Sequence, residues 1–186
     1  MQKIISLFQR NYDGDRQVRD EVVPGAEWVT NGEGTATRKW DGTCCMIKEG
    51  ALYKRYDAKN GKTPPVGFIP AQDPDAVTGH WPGWLTCNED EPADKWFIEG
   101  FRNLCEMHNG YPPEGTYELV GPRINGNKDG FTVHGMIPHG KDELQAPRTF
   151  LELKAFFAEI NIEGIVWHHS DGSMVKIKKK DFGYKW

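Results

Sequence analysis

Lys39-Trp40-Asp41-Gly42 sets a primary amine at the end of an extended run, directly before a turn-forming Asp-Gly pair, where a rigid backbone can hold a side chain at a pocket. A lysine attacks an electrophile only as the neutral amine, and crowding by other cations favours that form. Taken alone, the tetrapeptide reads equally well as an exposed hairpin. Further along lie Arg55, then Tyr117-Glu118-Leu119-Val120-Gly121, then Glu163-Gly164-Ile165-Val166, and finally Lys176-Ile177-Lys178, each on an expected strand or at its edge. Glu118 and Glu163 taken singly read as ordinary surface carboxylates. Lys176 and Lys178 alternate with Ile177 and so share one face of a strand, whereas Lys179 falls on the other.

The order of these segments carries more information than any one of them. The succession resembles the motif series of the ligase and mRNA-capping nucleotidyltransferase superfamily: a nucleophile motif, an arginine-bearing strand, an acidic strand, E-G-I/V-V and a final K-x-K. The resemblance narrows to the family containing the vertebrate ATP-dependent RNA ligase, which joins 5′-phosphate to 3′-hydroxyl ends. The residues that carry it are Lys39-Trp40-Asp41-Gly42-Thr43-Cys44-Cys45, Pro82-Gly83-Trp84, Glu118-Leu119-Val120-Gly121, Ile124-Asn125-Gly126-Asn127, Ile137-Pro138-His139-Gly140 and Glu163-Gly164-Ile165-Val166-Trp167-His168.

The resemblance implies a chemistry for each position. The Lys39 amine would attack the α-phosphate of ATP, with Arg55, Lys176 and Lys178 stabilising charge on the phosphates. Glu118 would hold the ribose hydroxyls. Glu163 would help place magnesium, or manganese in its stead, largely through water. Thr37 and the backbone of Arg38 would read the adenine edge, and Ile165 or Val166 would wall the base. Many ligases stack the other face of the base on an aromatic residue followed by aspartate, and Phe131 to His139 contains no such pair. His134, Met136 and Ile137 are the candidates in its place, and strand register decides among them. The implied fold is α+β, two largely antiparallel sheets with flanking helices and a nucleotide cleft between them, without a C-terminal OB-fold domain. RNA ends are the implied partners.

These residues need elements to hold them. Ala36 to Asp57 reads as consecutive strands broken at Asp41-Gly42 and Glu49-Gly50, an antiparallel sheet. Lys62 to Trp84 is rich in proline and glycine and reads as a long ordered loop, whose Trp81 and Trp84 are candidates for stacking on bases. Phe97, Phe101, Leu104 and Cys105 recur at helical spacing until Asn109-Gly110 stops them. Thr149 and Glu152 have capping-box spacing ahead of the apolar stripe Phe150, Leu153, Phe156, Phe157 and Ile160. Thr116 to Val120, Phe131 to Ile137, Gly164 to His168 and Met174 to Lys178 read as strands, the last two a hairpin turned at Ser170-Asp171-Gly172.

A chain of 186 residues suits one domain, here 1–186. Its net charge of −4 argues against a uniformly basic nucleic-acid binder, so phosphate binding has to rest on local charge such as the Lys176 to Lys185 stretch. Four cysteines without any C-x-x-C pair exclude the spacing of a zinc ribbon, and with no secretory or transmembrane segment the expectation is a reduced, cytoplasmic setting. Cys44 and Cys45 read as small buried hydrophobes. Adjacent His168 and His169 point to opposite faces of a strand and do not share one ion. The competing functions are a DNA ligase or GTP-dependent capping-type enzyme, a catalytically silent nucleotide- or RNA-binding module, and transfer of AMP to a non-RNA acceptor.

Overall fold

The computed structural model describes residues 4–59 and 61–186. In chain order the elements are β1 (Ile5–Ser6), β2 (Phe8–Arg10), β3 (Val18–Val22), α1 (Glu27–Thr30), β4 (Thr35–Lys39), β5 (Thr43–Lys48), β6 (Ala51–Ala58), β7 (Ile69–Pro70), β8 (Trp81–Thr86), α2 (Lys95–Met107), β9 (Gly115–Val120), β10 (Gly135–Pro138), α3 (Phe150–Glu159), β11 (Gly164–His168) and β12 (Met174–Lys178). The architecture is α+β. A six-stranded antiparallel sheet has the order β10-β9-β5-β6-β8-β7, a four-stranded sheet the order β1-β12-β11-β4, and β2 pairs with β3 separately. Among the described residues only the short β1–β12 pair is parallel. The described residues form two compact units, Asp41–His139 and Ile4–Trp40 together with Gly140–Trp186.

In the second of these, β12 alternates cleanly. Val175 and Ile177 enter a core with Leu7, Phe8, Val29, Leu153, Phe157, Ile165 and Trp167, while Met174, Lys176 and Lys178 point the other way. The β11–β12 hairpin forms as expected: Gly172 takes a positive φ of 89°, and the Ser173 amide donates to Asp171 Oδ1 at 2.7 Å. Helix α3 also begins where expected, but Thr149 makes no capping bond to the backbone. Its hydroxyl donates instead to Glu152 at 2.7 Å, so the two side chains satisfy one another. At the other end Lys179 donates to the Ile160 carbonyl at 2.7 Å, placing a cation on the negative pole of α3.

β4 is the outer strand of its sheet and carries a strap. The Arg38 amide donates to the Asp142 carbonyl at 2.8 Å and the Leu144 amide to the Ala36 carbonyl at 3.0 Å, forming an isolated antiparallel bridge between Thr37 and Glu143. This corrects the reading of Ala36 to Asp57 as one sheet. β4 pairs with β11, whereas β5 pairs with β6 and β9, so the chain changes sheet at Asp41-Gly42.

In the Asp41–His139 unit, α2 covers β9 and β10. Gly100 permits the close approach, since a Cβ there would come within 2.5 Å of Leu119 Cδ1. Leu104 joins Leu119, Tyr117, Met136 and Ile47 in the core beneath it. Asp94, at the start of α2, is buried against the ammonium of Lys54 and the Asn88 amide. The stretch expected as loop contains β8, despite its Pro82-Gly83: Gly83 makes room for Phe68, whose ring atoms would lie 2.3 Å from a Cβ. Of the expected strand Phe131 to Ile137, only the end is extended, as β10.

Candidate active site

Register places most of the candidate residues on one face of the four-stranded sheet. Thr37 is opposite Val166 and Val166 opposite Lys176; Lys39 is opposite Gly164 and Gly164 opposite Lys178. Directly paired residues share a face, so Thr37, Lys39, Val166, Lys176 and Lys178 stand together. Gly164 lies between the two terminal lysines because no side chain fits there: a Cβ would be 2.4 Å from the Ile177 carbonyl oxygen.

Glu163 closes the cluster. Lys39 Nζ donates to its Oε2 at 2.5 Å and Lys178 Nζ lies 3.0 Å from its Oε1. The glutamate side chain is 6% exposed and the two lysines are 20% and 22% exposed, so all three charges are largely desolvated. Three lysines around one carboxylate leave a net positive face suited to phosphates. Lys176 feels this most. Burial, and then the charges of Lys178 and Lys39, pull its ammonium down to about 8, against weaker support from Asp181 and Glu163.

Alternation sorts the remaining candidates. Ile165 is fully buried in the core, on the side away from Lys39, while Val166 lies on the lysine face. Of the two residues offered as a wall for a base, Val166 is therefore the one beside the lysines. The Thr37 hydroxyl lies 3.2 Å from the Val166 carbonyl and 3.0 Å from His168 Nε2, so it is engaged within the sheet. The Arg38 guanidinium stacks over Trp40, 3.7 Å from the ring centroid. His169 bonds Asp171 and Glu33, and those bonds raise its pKa. The two histidines thus have separate partners.

The other two candidates belong to the six-stranded sheet. Thr116 and Tyr53 both pair with Met46, and alternation carries their face to Glu118 and Arg55. Arg55 bonds Asp57 at 3.1 Å. Glu118 bonds His139 Nε2 at 2.9 Å. Ile137 is opposite Glu118 and shares its face, whereas Met136 is in the core and His134 is buried, stacked on Trp96 and bonded to Glu99. Register thereby separates the three candidates for the second stacking position.

The Asp41-Gly42 turn is pinned within this same unit. A Cβ on Gly42 would be 2.3 Å from the Leu119 oxygen and 2.6 Å from Glu118 Cγ, while Asn125 Nδ2 donates to the Gly42 carbonyl at 2.6 Å and to Asp41 Oδ1 at 3.2 Å. Asn125 and His139 have no assigned role in the sequence reading. Their signal lay in motif segments noted only as matches, Ile124-Asn125-Gly126-Asn127 and Ile137-Pro138-His139-Gly140. Trp84 is buried, and Trp81 is packed on Phe68 with its indole N–H bonded to the Gln72 carbonyl. Burial pushes the Cys45 thiol up, in keeping with a core role. Among the described residues no group of three His, Cys, Asp or Glu is arranged for a metal ion, and no helix is long and apolar enough to cross a membrane.

Residues 111–186 match the family model for RNA ligase 1. Similar proteins include RNA ligase 1 of Danio rerio, 37% identical over 137 residues that cover 58% of this chain and 42% of that protein. RNA ligase 1 of Rattus norvegicus is 26% identical over 221 residues, covering 81% of this chain and 68% of the relative, and that of Mus musculus is 26% identical over the same length. The chain therefore spans less than half of the Danio rerio protein and about two thirds of the rodent ones.

Proposed function

From its relationship to RNA ligase 1, we propose that this chain is an ATP-dependent RNA ligase that charges Lys39 with AMP and seals 5′-phosphate to 3′-hydroxyl RNA ends. The observation that carries the reading is the desolvated network of Lys39, Glu163, Lys178 and Lys176 on one sheet face. An exposed hairpin lysine would have no need of it.

In the first step the Lys39 nitrogen forms a bond to the α-phosphorus of ATP and the bond to the pyrophosphate oxygen breaks, pyrophosphate leaving with that electron pair. Lys39 as found is a hydrogen-bond donor to Glu163. Attack therefore requires that the amine leave this bond and pass one proton to water, freeing its lone pair for phosphorus. Lys176 and Lys178 stabilise the phosphates as charge shifts to the leaving group. Val166 offers apolar surface to the base. The 5′-phosphate of an RNA end then takes AMP from Lys39, and a 3′-hydroxyl displaces AMP to form the phosphodiester. Positioning supplies most of the acceleration in these transfers.

Magnesium is usually held by one or two carboxylates with water and substrate phosphate completing its shell. Glu163 is the buried carboxylate of this cluster and the residue that would hold the ion, once Lys39 or Lys178 gives up the oxygen it now occupies. Bound there, it would neutralise phosphate charge.

Wild type and Lys39→Ala, each incubated with magnesium and with ATP or GTP labelled on the α-phosphate, provide the test after denaturing electrophoresis. A covalent label from ATP alone, dependent on Lys39 and discharged by 5′-phosphorylated RNA, is expected. Label from GTP would indicate capping-type chemistry, and discharge onto DNA alone a DNA ligase. Folded wild-type protein that binds ATP, carries no preformed adenylate by mass spectrometry and takes no label would leave a silent binding module.

A further inference from the structure

We infer that His139 is a positioning residue that sets the discrimination for ribose over sugars lacking hydroxyls, acting through Glu118. The inference rests on the ligase reading, in which Glu118 receives the sugar.

The geometry is local to the Asp41–His139 unit. Glu118 Oε2 and His139 Nε2 are 2.9 Å apart, with side-chain exposures of 12% and 23%. A carboxylate only accepts, so Nε2 carries the hydrogen of this bond. Nδ1, the other ring nitrogen, has no partner among the described residues. The backbone that carries the ring is held: it follows Pro138 at the end of β10, and the His139 amide donates to the Thr116 carbonyl at 3.1 Å. Glu118 is confined from the other side, because its Cγ occupies the space that a Gly42 Cβ would need.

Glutamate has three rotatable side-chain bonds, and a free one samples many orientations before accepting from a ligand. Here Oε2 is committed to His139, so Oε1 is left to accept from a hydroxyl in a fixed direction. Sites built around a buried acceptor reject an analogue that lacks the donor, because the acceptor is then left unpaired. His139 touches neither base nor phosphate in this scheme, and its loss falls only on molecules that carry the hydroxyls.

The test compares ATP with 2′,3′-dideoxyATP in the Lys39 self-labelling reaction, using wild type, His139→Leu, His139→Gln and His139→Asn. The Gln amide nitrogen can stand in for Nε2, and the shorter Asn cannot. Wild type is expected to prefer ATP. His139→Leu and His139→Asn should raise the KM for ATP about tenfold, the scale of one charge-assisted hydrogen bond lost, and leave the KM for the dideoxy nucleotide unchanged, whereas His139→Gln should restore the preference. If His139→Leu fails to fold, the Gln and Asn pair makes the same comparison. Equal losses on both nucleotides would mark His139 as a brace of the strand end and overturn the inference alone. Absence of label from wild type with either nucleotide would overturn the ligase reading and this inference together.

Discussion

Lys176→Met should stabilise the protein near neutral pH. In the folded chain Lys176 is held at about 8, below its ordinary 10.5, chiefly by burial and then by Lys178 and Lys39. At about 1.4 kcal/mol per pH unit, keeping this ammonium charged costs the fold roughly 3 kcal/mol at pH 7. Methionine has similar length and no charge, so most of that cost should disappear, giving a gain of about 2 to 3 kcal/mol. The pH dependence has a definite sign. Below pH 8 both folded and unfolded lysine are protonated and the penalty is constant. Between about 8 and 10.5 the unfolded chain holds more protons than the folded one, so wild-type stability rises with pH and the advantage of the variant closes. Urea unfolding of both proteins at pH 6.5, 7.5, 9 and 10.5 reads this directly. A variant less stable than wild type at pH 6.5, or a difference that does not change across the window, would refute the reasoning.

Glu163→Gln removes the carboxylate that pairs with both Lys39 and Lys178; urea unfolding at pH 7 should show a loss of about 3 kcal/mol, the low end for a broken buried pair because both lysines retain some access to water. Gly42→Ala places a methyl 2.3 Å from the Leu119 carbonyl oxygen, which is held in its strand and cannot move aside. A loss of about 2 kcal/mol in the same assay is expected, and an unchanged midpoint would mean that the turn adjusts freely.

Much of the fold was legible because alternation and helical spacing are local. The hairpin of β11 and β12 and helix α3 follow from patterns that each segment displays unaided. What was not legible is pairing. Nothing within Ala36 to Asp57 says that β4 leaves β5 for β11, since that depends on residues far along the chain. Pro82-Gly83 looks like a breaker, yet the proline sits near an edge where only the two-residue β7 follows, and the glycine is there to admit Phe68. The lysine face was accessible through the alternation of Lys176, Ile177 and Lys178. The choice between Ile165 and Val166, and among His134, Met136 and Ile137, needed register, because a shift of one residue exchanges core for surface. Asn125 and His139 make side-chain bonds to residues distant in the sequence, which leave no periodic trace.

The strap on β4 has a kinetic meaning. The Arg38 amide is already bonded, to a carbonyl of its own chain. A ligand that sought that amide would be competing with a tethered rival whose effective concentration is of the millimolar order or above, and the rival never diffuses away. Among the described residues two backbone bonds hold the strap at this bridge, and Leu144 packs against the core, so its release is a local opening rather than unfolding of the sheet. Hydrogen exchange at the Arg38 amide reports that opening, and an occupant of the strand edge needs the amide vacated first.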